Sequence, residues 1–190
     1  MAQDIQPTSE AYHPQDVVFI NTHLIQRAME GLQKSREKFQ ALLEQAELGE
    51  LSVQYDLALR YLEGDGVEAD PVQAAAWLER AAAQDFPRAV SILGNCYEGG
   101  TGVERDPERA VQLYRRAAQQ DYAPAMCNLG YCYLTGIGTE PSPEQAVHWL
   151  RRAAEQDFPR AQLLLGRCCQ NGNGLPRDDE AGARWFLSLI

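Results

Sequence analysis

The chain has 190 residues, and its 17 basic and 27 acidic side chains give a formal net charge of −10 at pH 7. This sign opposes attraction to nucleic acid or to an anionic membrane surface, so we expect neither as a partner. The sequence contains no run of about 18 apolar residues, the length needed to cross a bilayer. The amino terminus lacks the basic-then-apolar order of a secretory signal. We therefore expect a cytoplasmic protein.

The five cysteines support the same location. An odd number without an export signal favours reduced thiols over a disulfide framework. Cys96, Cys132 and Cys168 follow one another at intervals of 36 residues, and Arg60 occupies the equivalent position upstream. This regular spacing predicts a column of buried, structural thiols, because a free cysteine behaves as a small apolar side chain.

The amino-terminal quarter divides into a tail and a helical segment. Residues 1–14 contain Pro7 and Pro14 and few large apolar side chains, which predicts a flexible tail. Residues 15–52 are predicted to form a helical cap over the array that follows. One or two amphipathic helices between about Asn21 and Glu47 are indicated by the spacing of Leu24, Ala28, Leu32, Phe39, Leu42, Leu43 and Ala46.

From residue 53 onward the sequence repeats with a period of 36 residues. A Gly-x-Gly motif recurs at Gly64, Gly100, Gly136 and Gly172 with a constant neighbourhood. Such a period means that each unit is one supersecondary element that buries its apolar face against its neighbours. We divide the array into four repeats, residues 53–88, 89–124, 125–160 and 161–190, the last of which is shorter.

Each repeat is predicted to contain two helices. In the first helix, Ala89, Leu93, Cys96 and Tyr97 fall on one face at 100° per residue, and their equivalents in the next repeat are again apolar. Gly94 interrupts this helix at a cost of about 1 kcal/mol relative to alanine, which predicts close approach of a partner helix. The first glycine of each Gly-x-Gly should end the helix in the left-handed conformation.

The second helix of a repeat has a clear start signal. Asp70-Pro71, Asp106-Pro107 and Ser142-Pro143 each combine an amino-terminal cap with proline at the first helical position. Gln73 and Gln145 follow three residues after their caps and predict capping boxes. The buried stripe of this helix is read from Ala74, Trp77, Leu78, Ala81 and Ala82 and from the equivalent residues of the next two repeats.

Together, the motifs Ala-x3-Leu-Gly-x2-Tyr, Gly-x-Gly-Val, Asp-Pro, Ala-x2-Trp and Ala-Ala resemble the Sel-one-like repeat family, relatives of the tetratricopeptide repeats. The resemblance covers residues 53–190. It implies an all-α fold, a right-handed α-α superhelix of helix-turn-helix repeats, and a protein-interaction adaptor without a common catalytic residue. The family usually has glycine where this chain has Asp85, Asp121 and Asp157, so we expect the turn between repeats to differ.

The resemblance also implies where a partner would bind. Four positions of the first helix, opposite its buried face, should line the concave groove, and their residues differ from repeat to repeat, as a recognition surface requires. These positions include Ser91, Cys127 and Leu163. The residues chosen as the candidate site for a protein or peptide segment are Tyr55, Leu59, Asn95, Glu98, Tyr131, Leu134, Arg167 and Gln170.

At the carboxyl end, Leu189 and Ile190 replace the alanine pair, and no polar helix follows them. The end could fold back on its own core, dock on another chain with weak homo-association, or continue in a longer array. A self-assembling structural protein is therefore one alternative function.

The sequence offers little for catalysis, metal or cofactor binding. His13, His23 and His148 are not linked by any motif, and adjacent Cys168 and Cys169 lack a second pair. We expect no enzyme, no cofactor and no metal. The remaining alternative is a hydrolase acting on cell-wall-related compounds, since some relatives with such repeats have been credited with hydrolysis.

Overall fold

A computed structural model describes residues 14–187, with side chains from Thr22 onward. Apart from Pro14, the predicted tail lies outside this range, as do Leu189 and Ile190. Nine helices and no strand are found in the described range. The helices are α1 (Pro14–Glu47), α2 (Leu51–Glu63), α3 (Pro71–Ala83), α4 (Pro87–Gly99), α5 (Pro107–Ala118), α6 (Ala123–Thr135), α7 (Pro143–Ala154), α8 (Pro159–Asn171) and α9 (Asp179–Leu187).

The chain separates into two units, Met1–Ala41 and Leu42–Ile190. In the first unit the described part is a single helical stretch, the amino-terminal portion of α1, rather than two helices. Its large apolar side chains Leu24, Ile25, Met29 and Leu32 are between 58% and 67% exposed. Its role as a cap remains a prediction.

The second unit is built from four helical hairpins. Helices α2, α4, α6 and α8, here called the A-helices, each pack most extensively on the helix that follows them in the chain. Those partners, α3, α5, α7 and α9, are called the B-helices. Each B-helix except α9 also packs on the A-helix of the next hairpin. The predicted helix-turn-helix array is therefore confirmed.

The cores of these hairpins are formed mainly by the two predicted stripes, although the predicted members Leu113, Tyr133 and Trp149 are only half-buried. Cys96, Cys132 and Cys168 are at most 3% exposed, so the cysteine column is a packing column. The alanine pairs of the B-helices are equally buried, which allows neighbouring backbones to approach closely. The stripe of the A-helix is wider than predicted, because the residue after its first alanine, Val90 or Met126 in the middle repeats, is also fully buried.

The helical glycines are explained by the B-helix of the same repeat. A Cβ atom added at Gly94 would lie 2.5 Å from Tyr114 Cε1, and one at Gly130 would lie 2.7 Å from Leu150 Cγ. Such distances leave no room for a methyl group. The predicted close approach is confirmed.

The Gly-x-Gly loops connect the two helices of each hairpin and, from the second hairpin onward, contact the hairpin before it. Gly100 ends α4 with φ of 75°, as predicted, and donates its N–H to the Cys96 carbonyl. Gly102 also has a positive φ, and a Cβ there would overlap the Pro71 carbonyl of the preceding repeat. The second glycine therefore brings the loop against the start of the preceding B-helix.

At the start of the B-helices, the cap side chain accepts backbone hydrogen bonds as predicted, but the reciprocal bond of the capping box is not formed. The Asp70 carboxylate accepts hydrogen bonds from the N–H groups of Val72 and Gln73, at 3.1 and 3.0 Å. The prediction of a full capping box is wrong, because the Asp70 N–H is donated to the Tyr61 carbonyl instead. This bond closes the loop onto its own A-helix.

Aspartate serves the turn between repeats. Asp85, Asp121 and Asp157 have φ between 56° and 64°, so they adopt the left-handed conformation usually left to glycine. Arg116 of the next B-helix donates to the Asp85 carboxylate, and Arg152 donates to Asp121 at 2.8 Å. These arginines link successive repeats through a residue that also ends a helix.

Candidate polar and apolar pockets on the A-helices

The predicted groove positions do not all face solvent. Ser91 and Cys127 are 2% and 0% exposed, so their assignment to the groove was wrong. Leu163, at the same position in the last repeat, is 44% exposed. The residue one step further along, Asn128 in α6 or Leu164 in α8, instead lines one of the two cavities described below. One residue corresponds to 100° on a helix, enough to turn a side chain from solvent to core.

Side chains from three A-helices and one B-helix meet in a cavity of about 310 Å³, here called the polar pocket. It contains three residues of the predicted site, Asn95, Glu98 and Tyr131. Its complete lining is Asn95, Glu98, Gly99, Tyr114, Asn128, Tyr131 and Arg160.

A chain of hydrogen bonds organises the polar pocket. Arg160 Nη1 donates to Asn128 Oδ1 at 2.8 Å, which fixes the orientation of the Asn128 amide. Asn128 Nδ2 then donates to Asn95 Oδ1 at 3.0 Å. Arg160 also lies over the Tyr131 ring, 5.4 Å from its centre. Three successive hairpins are thus joined through side chains of their A-helices.

Tyr114 forms the floor of this pocket. Its side chain is fully buried, and its ring passes Gly94 so that the hydroxyl lies 2.7 Å from Glu98 Oε2 and 2.8 Å from Asn95 Oδ1. Burial, followed by the hydrogen bond to the Glu98 carboxylate, raises the pKa of Tyr114 far above its ordinary value. The hydroxyl is therefore a permanent donor, with one proton for two acceptors.

A second cavity of about 170 Å³, here called the apolar pocket, adjoins the first. Tyr131 lines both pockets and forms the wall between them. The exposed surface that lines the apolar pocket is mostly apolar. The pocket brings together Leu134 and Arg167 of the predicted site. The complete lining is Tyr131, Leu134, Thr135, Leu164, Arg167, Cys168, Asn171 and Asn173.

The other three predicted site residues lie elsewhere. Tyr55 packs edge-on against Phe86, with ring centres 5.9 Å apart, and Leu59 is half-buried in the same helix. Gln170 lies against α9, because a Cβ added at Gly182 would be 2.7 Å from Gln170 Cγ. None of the three lines either pocket.

Sequence reasoning missed Tyr114, Asn128 and Arg160. One signal pointed to Tyr114: in its column the other repeats carry Leu78, Leu150 and Phe186, so only this repeat places a hydroxyl in the core. No comparable signal marks Asn128 or Arg160, whose roles depend on contacts across repeats.

The described residues offer little for metal or thiol chemistry. In the described part of the chain, no three His, Cys, Asp or Glu side chains gather closely enough to hold a metal ion. The five cysteines are buried and free. Burial raises the pKa of the Cys127 thiol to about 11 and that of Cys132 to about 12, so both stay protonated at neutral pH. No helix within residues 14–187 has the length and apolar character needed to cross a membrane.

The fold is an all-α solenoid of helical hairpins, with two adjoining cavities along helices α4, α6 and α8. The model of the Sel1 repeat family matches residues 51–86, 87–122, 123–158 and 159–189, so the chain belongs to this family. Proteins of this family typically act as protein-interaction scaffolds and are generally non-catalytic. A search among curated proteins found no match.

Solved structures agree with this assignment. The chain is 34% identical to c5321, a protective antigen of uropathogenic Escherichia coli with an SLR fold, with a TM-score of 0.76, and the match covers 80% of this chain and 32% of that one. It is 32% identical to a Sel1 repeat protein from Oxalobacter formigenes, with a TM-score of 0.72 and coverage of 83% and 64%. The chain thus spans about a third and just under two thirds of these relatives. Helicobacter pylori cysteine rich protein B, at 22% identity and a TM-score of 0.55, shares the fold.

Proposed function

We propose that this chain is a protein-interaction adaptor or scaffold that binds a segment of a partner protein along its A-helices, without catalysis. The observation that carries the proposal is the pair of adjoining pockets, one polar and one apolar, that share Tyr131. Asn95, Tyr131 and Arg167 occupy one equivalent position of successive repeats and differ completely, whereas the buried residues beneath them repeat. A repeated core under a varied surface supports recognition of a specific partner.

The side chains at this surface are suited to protein recognition. Tyrosine and arginine provide large contact areas with directed polar groups and are enriched at energetically important interface positions. Asn95 is exposed and held in place by Asn128, so it is preorganised to hydrogen-bond an incoming segment. The five reduced thiols support a cytoplasmic setting for this interaction.

Affinity capture from native lysate tests the proposal. The bait is the full chain, compared with a Tyr131→Ala, Arg167→Glu double variant whose folding is verified by circular dichroism. Arg151→Glu on α7 is the matched control, because Arg151 is exposed and lies outside both pockets. We expect partners that are retained by the wild type and the control and lost by the double variant. If the double variant retains every partner, the proposed groove is wrong.

We also propose a weak self-association through the carboxyl-terminal helix as a secondary property. Phe186 of α9 packs against Gly166 as Tyr114 packs against Gly94, whereas Leu187 is 67% exposed. Exposed apolar side chains of this kind favour association. Light scattering at high concentration should show a dimer fraction that falls in Leu187→Asp. A strict monomer would refute this property without affecting the groove.

A further inference from the structure

The polar pocket presents opposite charges on opposite walls. Glu98 and Arg160 both line it, yet no ion pair joins them among the described residues; the Asn95–Asn128 hydrogen bond lies between them in the chain of contacts. Their formal charges cancel. A cationic ligand group would gain Glu98 but face Arg160, and an anionic group would gain Arg160 but face Glu98.

The hydrogen-bonding capacity of the two walls is incomplete. On one wall, Asn95 Oδ1 already accepts hydrogen bonds from Tyr114 and Asn128. Among the described residues the Glu98 carboxylate accepts only from Tyr114, through Oε2, so it keeps free acceptor positions. On the other wall, Arg160 uses one N–H on Asn128 and keeps four further donors. The ligand group that complements both walls donates hydrogen bonds at one end, accepts them at the other and carries no net charge.

From this arrangement we infer that the polar pocket recognises a side-chain carboxamide, an asparagine or glutamine of the partner. Its NH2 group donates to the Glu98 carboxylate, and its oxygen accepts from Arg160. This inference rests on the proposed function, because it specifies the partner of the same surface. A buried, hydrogen-bonded neutral group also avoids the desolvation cost of a buried charge.

The apolar pocket supplies the second element of the motif. It lies between α6 and α8, whereas the Asn95–Asn128 contact of the polar pocket lies between α4 and α6. Side-chain hydrogen bonds join α4 to α6 and α6 to α8, which places neighbouring A-helices on the order of 10 Å apart, and an extended chain advances about 3.3 Å per residue. An aliphatic side chain about three residues from the carboxamide therefore reaches Leu134 and Leu164. The partner segment thus carries Gln-x-x-Leu or the reverse order.

Synthetic peptides test this inference directly. The probes are fluorescein-labelled, amide-capped eight-residue peptides with Gln-x-x-Leu or Leu-x-x-Gln in a Ser/Gly background, titrated against the full chain by fluorescence anisotropy. In one of the two orders, replacing Gln by Ala, Glu or Lys should each weaken binding at least about fivefold, the loss expected for an unpaired buried polar group. Moving Leu by two residues should weaken binding similarly.

Variants of the protein identify the pocket. Glu98→Gln removes the negative wall, so the preference for Gln over Glu should disappear while the preference for Leu remains. In Leu134→Ala the preference for Leu should disappear while the preference for Gln over Glu remains. Glu104→Gln, which lies outside both pockets, is the matched control and should behave as the wild type.

Three results would overturn the inference. These are equal binding of the Ala peptide, which indicates backbone recognition; tighter binding of a Lys or Glu peptide; or no binding of any peptide. Each leaves the proposed function intact if lysate capture still depends on Tyr131 and Arg167. Loss of that dependence would instead refute the proposed function itself.

Discussion

At the scale of single residues, Tyr114 joins the core to the surface. Its ring fills the space left by Gly94, and its hydroxyl holds Asn95 and Glu98 at the pocket floor. The equivalent residues of the other repeats, Leu78, Leu150 and Phe186, carry no polar group on their side chains. The polar pocket therefore depends on the Tyr114 hydroxyl, which reaches it from the B-helix α5.

Removing that hydroxyl should cost much less stability than removing the whole ring. In Tyr114→Phe the ring still fills the core, so the free energy of unfolding should fall by only about 1 kcal/mol, the net value of a typical hydrogen bond. Tyr114→Ala should cost about 3–5 kcal/mol through the cavity it leaves. Urea denaturation measures both changes. Equal losses of unfolding free energy in the two variants would show that the hydroxyl, and not the ring, makes the main contribution of Tyr114 to stability.

At the scale of elements, glycine and aspartate set the geometry of the hairpins. Glycine inside an A-helix allows the B-helix to approach, and aspartate at the turn provides both a left-handed residue and a carboxylate for the next repeat. These roles lie at fixed positions of each repeat, so single substitutions probe them.

Gly94→Ala should destabilise the protein by about 1–3 kcal/mol, because the added methyl group meets the rigid Tyr114 ring at 2.5 Å. Gly31→Ala is the matched control: Gly31 is also helical, and nothing lies within 4 Å of a Cβ at that position. It should be neutral or increase helix stability by up to about 1 kcal/mol. Thermal unfolding followed by circular dichroism distinguishes them. A harmless Gly94→Ala would contradict the close-approach argument.

The turn aspartates offer a second comparison. Asp157→Gly should stabilise the chain by up to about 1 kcal/mol, since glycine adopts the left-handed conformation without strain. Asp121→Gly should gain less, because it also removes the ion pair with Arg152. Chemical denaturation of the two variants side by side would reveal the difference. Equal gains would mean that the ion pair contributes nothing, and a larger gain for Asp121→Gly would mean that it destabilises the chain.

The hairpins could be predicted from the sequence, whereas the pockets could not. Helix ends, glycine positions and alanine pairs depend on contacts that recur in every unit, so the period exposes them. The pocket depends on Asn95, Asn128 and Arg160, which meet from three hairpins at separations of 33 and 32 residues. A helical wheel for one repeat cannot show such contacts, and its uncertainty of one position placed Cys127 in the groove although it is buried.

At the scale of the whole molecule, burial of ionisable groups should couple stability to alkaline pH. The folded chain keeps Cys127 and Cys132 protonated up to pKa values of about 11 and 12, whereas the unfolded chain loses these protons above about pH 8.5. Above that pH the unfolded state binds fewer protons, so the free energy of unfolding should fall as pH rises towards 11.

Urea denaturation between pH 7 and pH 10.5 measures this dependence. A Cys127→Ala, Cys132→Ala variant should show a smaller fall over the same range, although its stability at pH 7 is lower. Stability that is constant or rises up to pH 10.5 in the wild type would contradict the burial of these thiols.

The central claim is that the A-helix pockets bind a partner protein, and site-specific photo-crosslinking in living cells tests it most directly. A benzophenone side chain is introduced at Leu134, in the apolar pocket, or at His148, an exposed position on α7 outside both pockets. We expect a discrete crosslinked partner from position 134 that disappears when Tyr131→Ala is added, and none from position 148. A partner captured from position 148 but not from position 134 would contradict it.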